Sequence, residues 1–248
     1  MLAPPTLQAG TSPARFELIL LAEHQTLSES SRGRTLVEER GTIPSLAGHV
    51  RVPLPYGTLN LALSGSSGEL DYDGQTQRGL PFASTTRQRI LRHSVSYAYP
   101  WNSHLTVLAG WHEEKRERRI SGRGAVLGLD EDYRHDYATF GIRHDATWGA
   151  IQAEVLLGLD GSQSVSSRGA IDTVTFPSGD GRGLHLRGQF PLSGSTQAVH
   201  LAWRPVLEYL HTPRSASRPY SNGGLPAGTI NQPETRRWSA GLGLVLIW

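Results

Sequence analysis

The eleven residues Trp238-Ser-Ala-Gly-Leu-Gly-Leu-Val-Leu-Ile-Trp248 alternate between two kinds of side chain. Apolar residues occupy every even position of this stretch, whereas serine, glycine and β-branched residues occupy the odd positions. Successive side chains of a β-strand point to opposite faces, so a period of two indicates a strand with one continuous apolar face. The stretch therefore predicts a β-strand whose two faces meet different surroundings.

The same alternation recurs along the chain, whereas the 3.6-residue period of helices is almost absent. Five further stretches place apolar residues on one face and polar or small residues on the other: Leu59–Leu63, Leu105–Trp111, Ile151–Leu159, Leu184–Phe190 and Val199–Trp203. Gly (28) and Pro (15) are abundant, as expected for many short strands joined by turns. The sequence predicts an all-β fold.

The connections between these stretches alternate between short and long. Short turns are predicted at Pro55–Gly57, Pro100–Ser103, Ala146–Gly149 and Pro191–Thr196, and long polar loops at Ser28–Ile43, Asp73–Thr85, Ser121–Asp130, Ser164–Gly181 and Pro213–Glu234. They separate ten strands with predicted bounds 15–27, 46–55, 58–72, 86–99, 104–120, 132–145, 150–163, 182–191, 197–212 and 235–248. Residues 1–14 are predicted to be a short N-terminal segment and 15–248 a single domain.

The aromatic residues fall into two groups on this map. One group lies near the short turns (Phe16, Tyr56, Tyr99, Trp101, Trp148, Phe190 and Trp248) and the other near the long loops (Tyr72, Trp111, Tyr133, Tyr137, Tyr209 and Trp238). Aromatic belts of this kind mark the two interfaces of a membrane-spanning barrel. The ten residues from Trp238 to Trp248 would rise roughly 24 Å at a tilt of about 45°, close to the ~25 Å apolar band of such barrels.

An even number of antiparallel strands with both termini beside the short turns is typical of transmembrane barrels. The sequence therefore predicts a closed antiparallel up-and-down transmembrane β-barrel of about ten strands. The alternative is a soluble β-sandwich, which also alternates and also has turns rich in glycine and proline. No apolar run approaches the ~18–20 residues that a membrane-spanning helix needs.

Composition excludes several classes of function. The formal net charge is only +2, and Lys115 is the one lysine among 24 basic residues, so nucleic acid is not an expected partner. The chain has no cysteine, which removes disulfides and thiolate metal sites. The ten histidines show no metal-ligand spacing, so neither a metal nor a cofactor is predicted.

The end of the chain resembles the C-terminal targeting signal of bacterial outer-membrane β-barrel proteins. That signal has a glycine, alternating apolar residues and a terminal aromatic residue. Gly243, Leu246 and Trp248 occupy the matching places, while Gly241 stands where a polar residue is usual. The resemblance implies delivery to the barrel-assembly machinery and residence in the bacterial outer membrane with periplasmic termini.

If the apolar faces meet lipid, the opposite faces fill the lumen. The predicted lumen network contains both signs of charge: Glu17, Arg51, Arg92, His112, Glu154, Arg187, His200, Arg204 and Glu208. Unpaired buried charges are costly, so we expect ion pairs that largely plug a bore of this size. The run Glu113–Arg119 alternates in sign and is interpreted instead as a solvated extension of its strand.

An enzymatic site would have to lie at the rim on the long-loop side. Asp71-Tyr72-Asp73 resembles half of the site of the omptins, outer-membrane proteases that combine a pair of aspartates with an Asp–His pair across the barrel mouth. The matching Asp-x-His is absent from the fourth long loop, and Asp132, His135 and Asp136 lie beside the third. Solvated rim charge that suits lipopolysaccharide is the favoured interpretation, and a rim hydrolase of the omptin or lipid-modifying type is the alternative.

The two longest loops, 164–181 and 213–234, are rich in Gly, Ser, Pro and Arg. Loops held on a rigid scaffold commonly carry recognition, so these are the predicted contacts for an envelope partner. The expected function is a binding, structural or narrow transport role in the cell envelope.

Overall fold

The computed structural model describes residues 13–75, 79–178, 180–192 and 199–248. The described residues contain no helix and thirteen β-strands, with the following bounds. They are β1 Arg15–Ser31, β2 Arg34–Leu54, β3 Gly57–Gln75, β4 Pro81–Pro100, β5 Leu105–Ile120, β6 Leu129–Ala146, β7 Gly149–Ser167, β8 Ile171–Pro177, β9 Arg182–Pro191, β10 His200–Thr212, β11 Arg218–Asn222, β12 Leu225–Ile230 and β13 Glu234–Ile247. Within these ranges, no helix is long and apolar enough to span a bilayer.

Ten of these strands close into one antiparallel barrel. Each strand pairs with the next around the ring, β9 following β7 directly and β13 following β10, and the pairing of β13 with β1 completes the ring. Following the register once around leads from Glu17 to Glu29 on β1, an offset of twelve residues. That stagger corresponds to strands tilted by about 40°. The predicted fold class and number of barrel strands are confirmed.

Several predicted bounds are wrong, always at the long-loop end. The predicted loop Ser28–Ile43 is almost entirely strand, because β1 and β2 continue to a tight turn at Arg32 and Gly33. Both turn residues have positive φ, 51° and 77°, as a two-residue hairpin turn requires. The loops predicted at 73–85, 164–181 and 213–234 likewise contain strand, the last two contributing β8 and the β11–β12 hairpin.

The longer strands have a physical reason. A strand needs only about 9–11 residues to cross a bilayer at this tilt, whereas β1 to β7 have 16 to 21 residues. Beyond the apolar band the outward positions are charged, as at Glu38 and Arg40 of β2, and the inward residue between them is Glu39. With polar residues on both faces, the apolar alternation that marks a strand disappears from the sequence although the strand continues.

The outer surface carries the predicted apolar band. Exposed Leu, Val, Ile and Phe side chains line the short-turn half of the wall, among them Leu20, Leu63, Val95, Phe140 and Leu242. The aromatic belt at the short turns is present as predicted, and its five most exposed members are Tyr56, Tyr99, Trp101, Trp148 and Trp248. The belt at the other end is smaller than predicted. Tyr72, Tyr133 and Tyr137 are buried inside the barrel, leaving Trp238, which packs on Tyr209 at 4.5 Å between ring centroids, and Trp111.

The predicted N-terminal segment, residues 1–14, lies almost wholly outside the described residues, and so does most of the fourth short turn. The first described strand begins at Arg15, as expected.

Candidate functional site: the barrel lumen

The inner face of the barrel divides into two halves of different character. In the half near the long loops, large inward side chains are almost completely buried, including Leu27, Leu70, Gln88, Arg118 and Leu156. In the half near the short turns, most inward side chains keep part of their surface accessible. We call these the upper and lower halves. Ion pairs occur at three levels, which we call the upper, central and lower layers.

The upper layer is centred on Arg118 of β5, whose side chain is 0% exposed. Its guanidinium contacts three carboxylates from three strands: Glu29 at 2.6 Å, Glu39 at 2.8 Å and Glu131 at 2.5 Å. The Tyr133 hydroxyl lies 3.0 Å from the same group and donates a hydrogen bond to Glu131. The Arg118 guanidinium therefore joins β5 to β1 and β2 as well as to the neighbouring β6.

Further buried polar side chains surround Arg118. Thr86 donates a hydrogen bond to Glu39 at 2.7 Å, and Gln88 donates one to Gln25 at 2.6 Å. The guanidinium of Arg116, one inward position below Arg118, lies 4.2 Å from the centre of the Tyr133 ring, a cation–π contact.

The central layer joins two arginines to three glutamates. Arg237 of β13 makes paired hydrogen bonds to Glu114 at 2.5 and 2.7 Å and a third to Glu208 at 2.9 Å. Arg92 of β4 contacts the same Glu114 at 2.9 Å and Glu208 at 3.1 Å, and lies 3.9 Å from Glu23. Paired Arg–carboxylate hydrogen bonds fix the orientation of both groups, so this layer connects strands across the lumen in a defined geometry.

Two histidines line the lower side of the central layer. His185 lies 2.6 Å from Glu208. His112 lies beside His185, with ring centroids 5.8 Å apart, and beside Tyr137 at 6.0 Å. Together with the arginine–glutamate pairs, they lie between the two halves of the lumen.

The lower layer is more open. Glu17 forms an ion pair with Arg51 at 2.9 Å and accepts a hydrogen bond from Arg204 at 2.6 Å, and Arg204 also contacts Gln189. Arg187 pairs with Glu154. Arg143 pairs with Asp145 at 2.7 Å close to the short turns.

A cavity of about 620 Å³, here called the lower chamber, lies between the central layer and the short turns. Its opening is at the short-turn end, where Pro13, Pro55, Tyr56 and Pro100 are among the lining residues. The cause lies in the sequence: the inward residues of β3 and β4 here are small, namely Asn60, Ala62, Ser64, Ser94, Ser96 and Ala98. Side chains from these two strands are too short to meet the arginines opposite.

The structure places eight of the nine predicted lumen residues in or beside the ion-pair layers. Arg92, His112 and Glu208 lie in or beside the central layer, and Glu17, Arg51, Glu154, Arg187 and Arg204 in the lower layer. His200 lies at the short-turn end of β10 and is exposed. The expectation that Glu113–Arg119 is solvated is wrong for its inward residues, because Glu114, Arg116 and Arg118 are among the most buried charged residues. The outward residues Lys115 and Glu117 are exposed, as expected.

The rim residues considered for catalysis do not come together. Asp71 and Asp73 lie exposed on the outer face of β3, and Asp132 lies exposed on the outer face of β6, where it pairs with Arg119 at 2.7 Å. Asp136 also faces outward, 3.4 Å from Arg134. His135 is buried on the inner face, where its Nε2 lies 2.8 Å from the Ser178 hydroxyl. The wall of the barrel therefore separates His135 from the aspartates.

Sequence reasoning missed two buried arginines at the centre of these layers, Arg118 of the upper layer and Arg237 of the central layer. The signal that could have found them was parity: Arg118 shares the inward register of His112 and Glu114, and Arg237 that of Ser239. Within the described residues, no group of three or more His, Asp or Glu side chains could hold a metal ion.

The two longest predicted loops are joined to each other above the barrel. Asp172 of β8 accepts hydrogen bonds from the Ser221 hydroxyl at 2.7 Å and from the backbone amides of Gly223 and Gly224 at 3.1 and 2.9 Å. These bonds, that from Gly224 first, lower the pKa of the Asp172 carboxyl below its ordinary value. The β11–β12 hairpin is thus docked on the extension of β7 and β8 rather than free.

No protein-family model and no curated protein sequence matches the chain. Among solved structures, the chain is similar to the outer membrane protease OmpT from Escherichia coli, with 8% sequence identity and a TM-score of 0.59 over 98% of this chain and 99% of that one. It also matches Neisserial surface protein A with 11% identity and a TM-score of 0.41, over 93% of this chain and 95% of that chain. The likeness to OmpT shows a shared ten-stranded barrel fold of the outer-membrane type and nothing about activity.

Proposed function

We propose that this chain is an integral protein of a bacterial outer membrane whose lumen is closed by its own side chains. Its role is binding or structural, or transport through a narrow path, rather than general diffusion. The support for a membrane location is the exposed apolar band, which would be unfavourable in water.

One observation supports the proposal that the lumen is closed. Arg118 contacts carboxylates of β1, β2 and β6 while its own strand is β5, so the interaction crosses the bore. The central layer repeats this arrangement with Arg92 and Arg237. Ten strands enclose a bore far narrower than that of the 16–18-stranded porins, and two such layers leave no wide path. A closed lumen predicts no steady ion conductance.

A hydrolase at the rim receives less support. Its candidate aspartates face outward, whereas His135 faces inward, and general-base catalysis needs these groups within reach of one water.

We infer further that Gly243, Leu246 and Trp248 are read during assembly and that the short turns face the periplasm. The loop side would then meet lipopolysaccharide and any envelope partner, through the docked hairpins of 164–181 and 213–234. The charged outer face of β3 to β6 above the apolar band suits such a headgroup layer.

This topology is testable by cysteine labelling, because the chain has no cysteine of its own. We expect Arg168→Cys, in the exposed turn between β7 and β8, to react on intact cells with a maleimide coupled to a polymer too large for porins. Thr147→Cys, in the exposed turn between β6 and β7, should react only after the outer membrane is permeabilised. The opposite pattern would reverse the proposed orientation, and equal labelling on intact cells would argue against membrane insertion.

A further inference from the structure

The lower chamber has one basic wall. Four arginines of the lower layer line it: Arg51 of β2, Arg143 of β6, Arg187 of β9 and Arg204 of β10. Three carboxylates pair with these four arginines, namely Glu17, Glu154 and Asp145. The other charged residues of the lining balance one another in number: Arg15, Arg92, Glu23 and Glu208. The wall is therefore positively charged overall.

Some hydrogen-bond donors on this wall have no acceptor after the internal ion pairs have formed. The Nε atoms of Arg187 and Arg204 are buried and have no hydrogen-bond partner among the described residues. The Arg204 side chain is only 5% exposed, and it faces the chamber. A buried guanidinium donor without an acceptor is costly, so these internal pairs do not fully satisfy the arginines. The side chains of Arg51 and Arg187 are 24% and 32% exposed, and their accessible guanidinium groups are where an anionic ligand would supply acceptors in the geometry that arginine favours.

The opposite wall has a different chemistry. Ser64 of β3 and Ser94 and Ser96 of β4 present hydroxyl groups, and Asn60 donates a hydrogen bond to Ser96 at 3.3 Å. Hydroxyl groups both donate and accept hydrogen bonds, so this wall suits a partner that does the same. It bears no charge to compete with the arginines.

We propose that the lower chamber binds a small hydroxylated acid, with a carboxylate or phosphate group on the basic wall and hydroxyl groups against the serine wall. A cavity of about 620 Å³ lies within the usual range for small-molecule sites. The central layer closes the chamber above, so the ligand enters and leaves at the short-turn end. This inference deepens the proposed function, since only the proposed orientation makes the periplasm the source of the ligand.

Two probes separate the possible acidic groups: glucuronate for the carboxylate and glucose 6-phosphate for the phosphate, with glucose as the neutral control. Titration calorimetry on the full chain in lauryl dimethylamine oxide avoids sugar detergents that could occupy the chamber. We expect saturable binding of at least one acid and at least about tenfold weaker binding of glucose. Equal binding of acid and glucose, or no saturable binding of either acid up to about 10 mM, would overturn the proposal.

Matched variants locate the site. Arg187→Gln should weaken binding of the preferred acid by about tenfold or more, whereas Arg182→Gln, which changes an exposed outward arginine of the same strand, should leave it unchanged. Ser96→Leu fills the chamber from the opposite wall without altering its charge and should also weaken binding. Equal affinity in the wild type, Arg187→Gln and Ser96→Leu would place any binding elsewhere.

The assay in detergent does not depend on which way the protein faces. If neither acid binds while cysteine labelling gives the expected pattern, the proposed ligand site is wrong but the proposed function still holds. Saturable, Arg187-dependent binding with reversed labelling would keep the site and remove the periplasm as its source.

Discussion

Replacement of Arg118 by methionine is expected to destabilise the protein by about 3–5 kcal/mol. Methionine keeps much of the side-chain volume but removes the cation, which leaves Glu29, Glu39 and Glu131 close together without a counter-charge. The loss should appear as a lower free energy of unfolding by urea in lipid vesicles.

Arg119 supplies a matched control one position away. It faces outward and pairs with Asp132 at 2.7 Å, but its side chain is 38% exposed. An exposed ion pair contributes little, so Arg119→Met should cost less than about 1 kcal/mol. Similar costs for the two variants would show that Arg118 does not join the strands as described.

Replacement of Leu242 by arginine is expected to cost about 2–4 kcal/mol, or to prevent insertion, because this position lies in the middle of the apolar band. Leu242 is 58% exposed on the outer face of β13, between Trp238 and Trp248. In a soluble β-sandwich an exposed leucine could be replaced by arginine at almost no cost. Urea unfolding and the heat-dependent shift in gel migration measure the effect.

Leu225 of the β11–β12 hairpin is even more exposed, at 72%, but lies beyond the barrel wall. Leu225→Arg should therefore be neutral within about 0.5 kcal/mol. If Leu242→Arg were equally neutral, the outer band would not be facing lipid.

The barrel was predictable from the sequence because, in the part of each strand that would cross the bilayer, the side chains of the two faces alternate in character. In β13 every even residue from Trp238 to Leu246 faces outward, as the pattern predicts. The predicted strand bounds were wrong where this contrast between the two faces ends. At Glu38, Glu39 and Arg40 of β2 both faces are polar, so the sequence resembles a loop although the backbone pairs throughout.

The lumen was partly predictable for the same reason. Parity identified Arg92, Glu208 and Arg204 as inward residues, but it gives no distance across the bore. Which side chains meet depends on the stagger of the strands: Arg237 reaches Glu114 on a strand far away along the ring. Parity alone also cannot show which half of the lumen is packed with side chains and which half contains a cavity. That difference arises from side-chain size, large at Leu70 and small at Ala62 of the same strand.

The central claim is that the protein's own side chains close the lumen, and ion conductance in a planar lipid bilayer tests it most directly. Arg168→Cys protein carrying a fluorescent label allows inserted molecules to be counted in the same bilayer. The account predicts that the current stays at the level of the bare bilayer while inserted barrels are present. A steady open current that grows with the number of inserted molecules would contradict it.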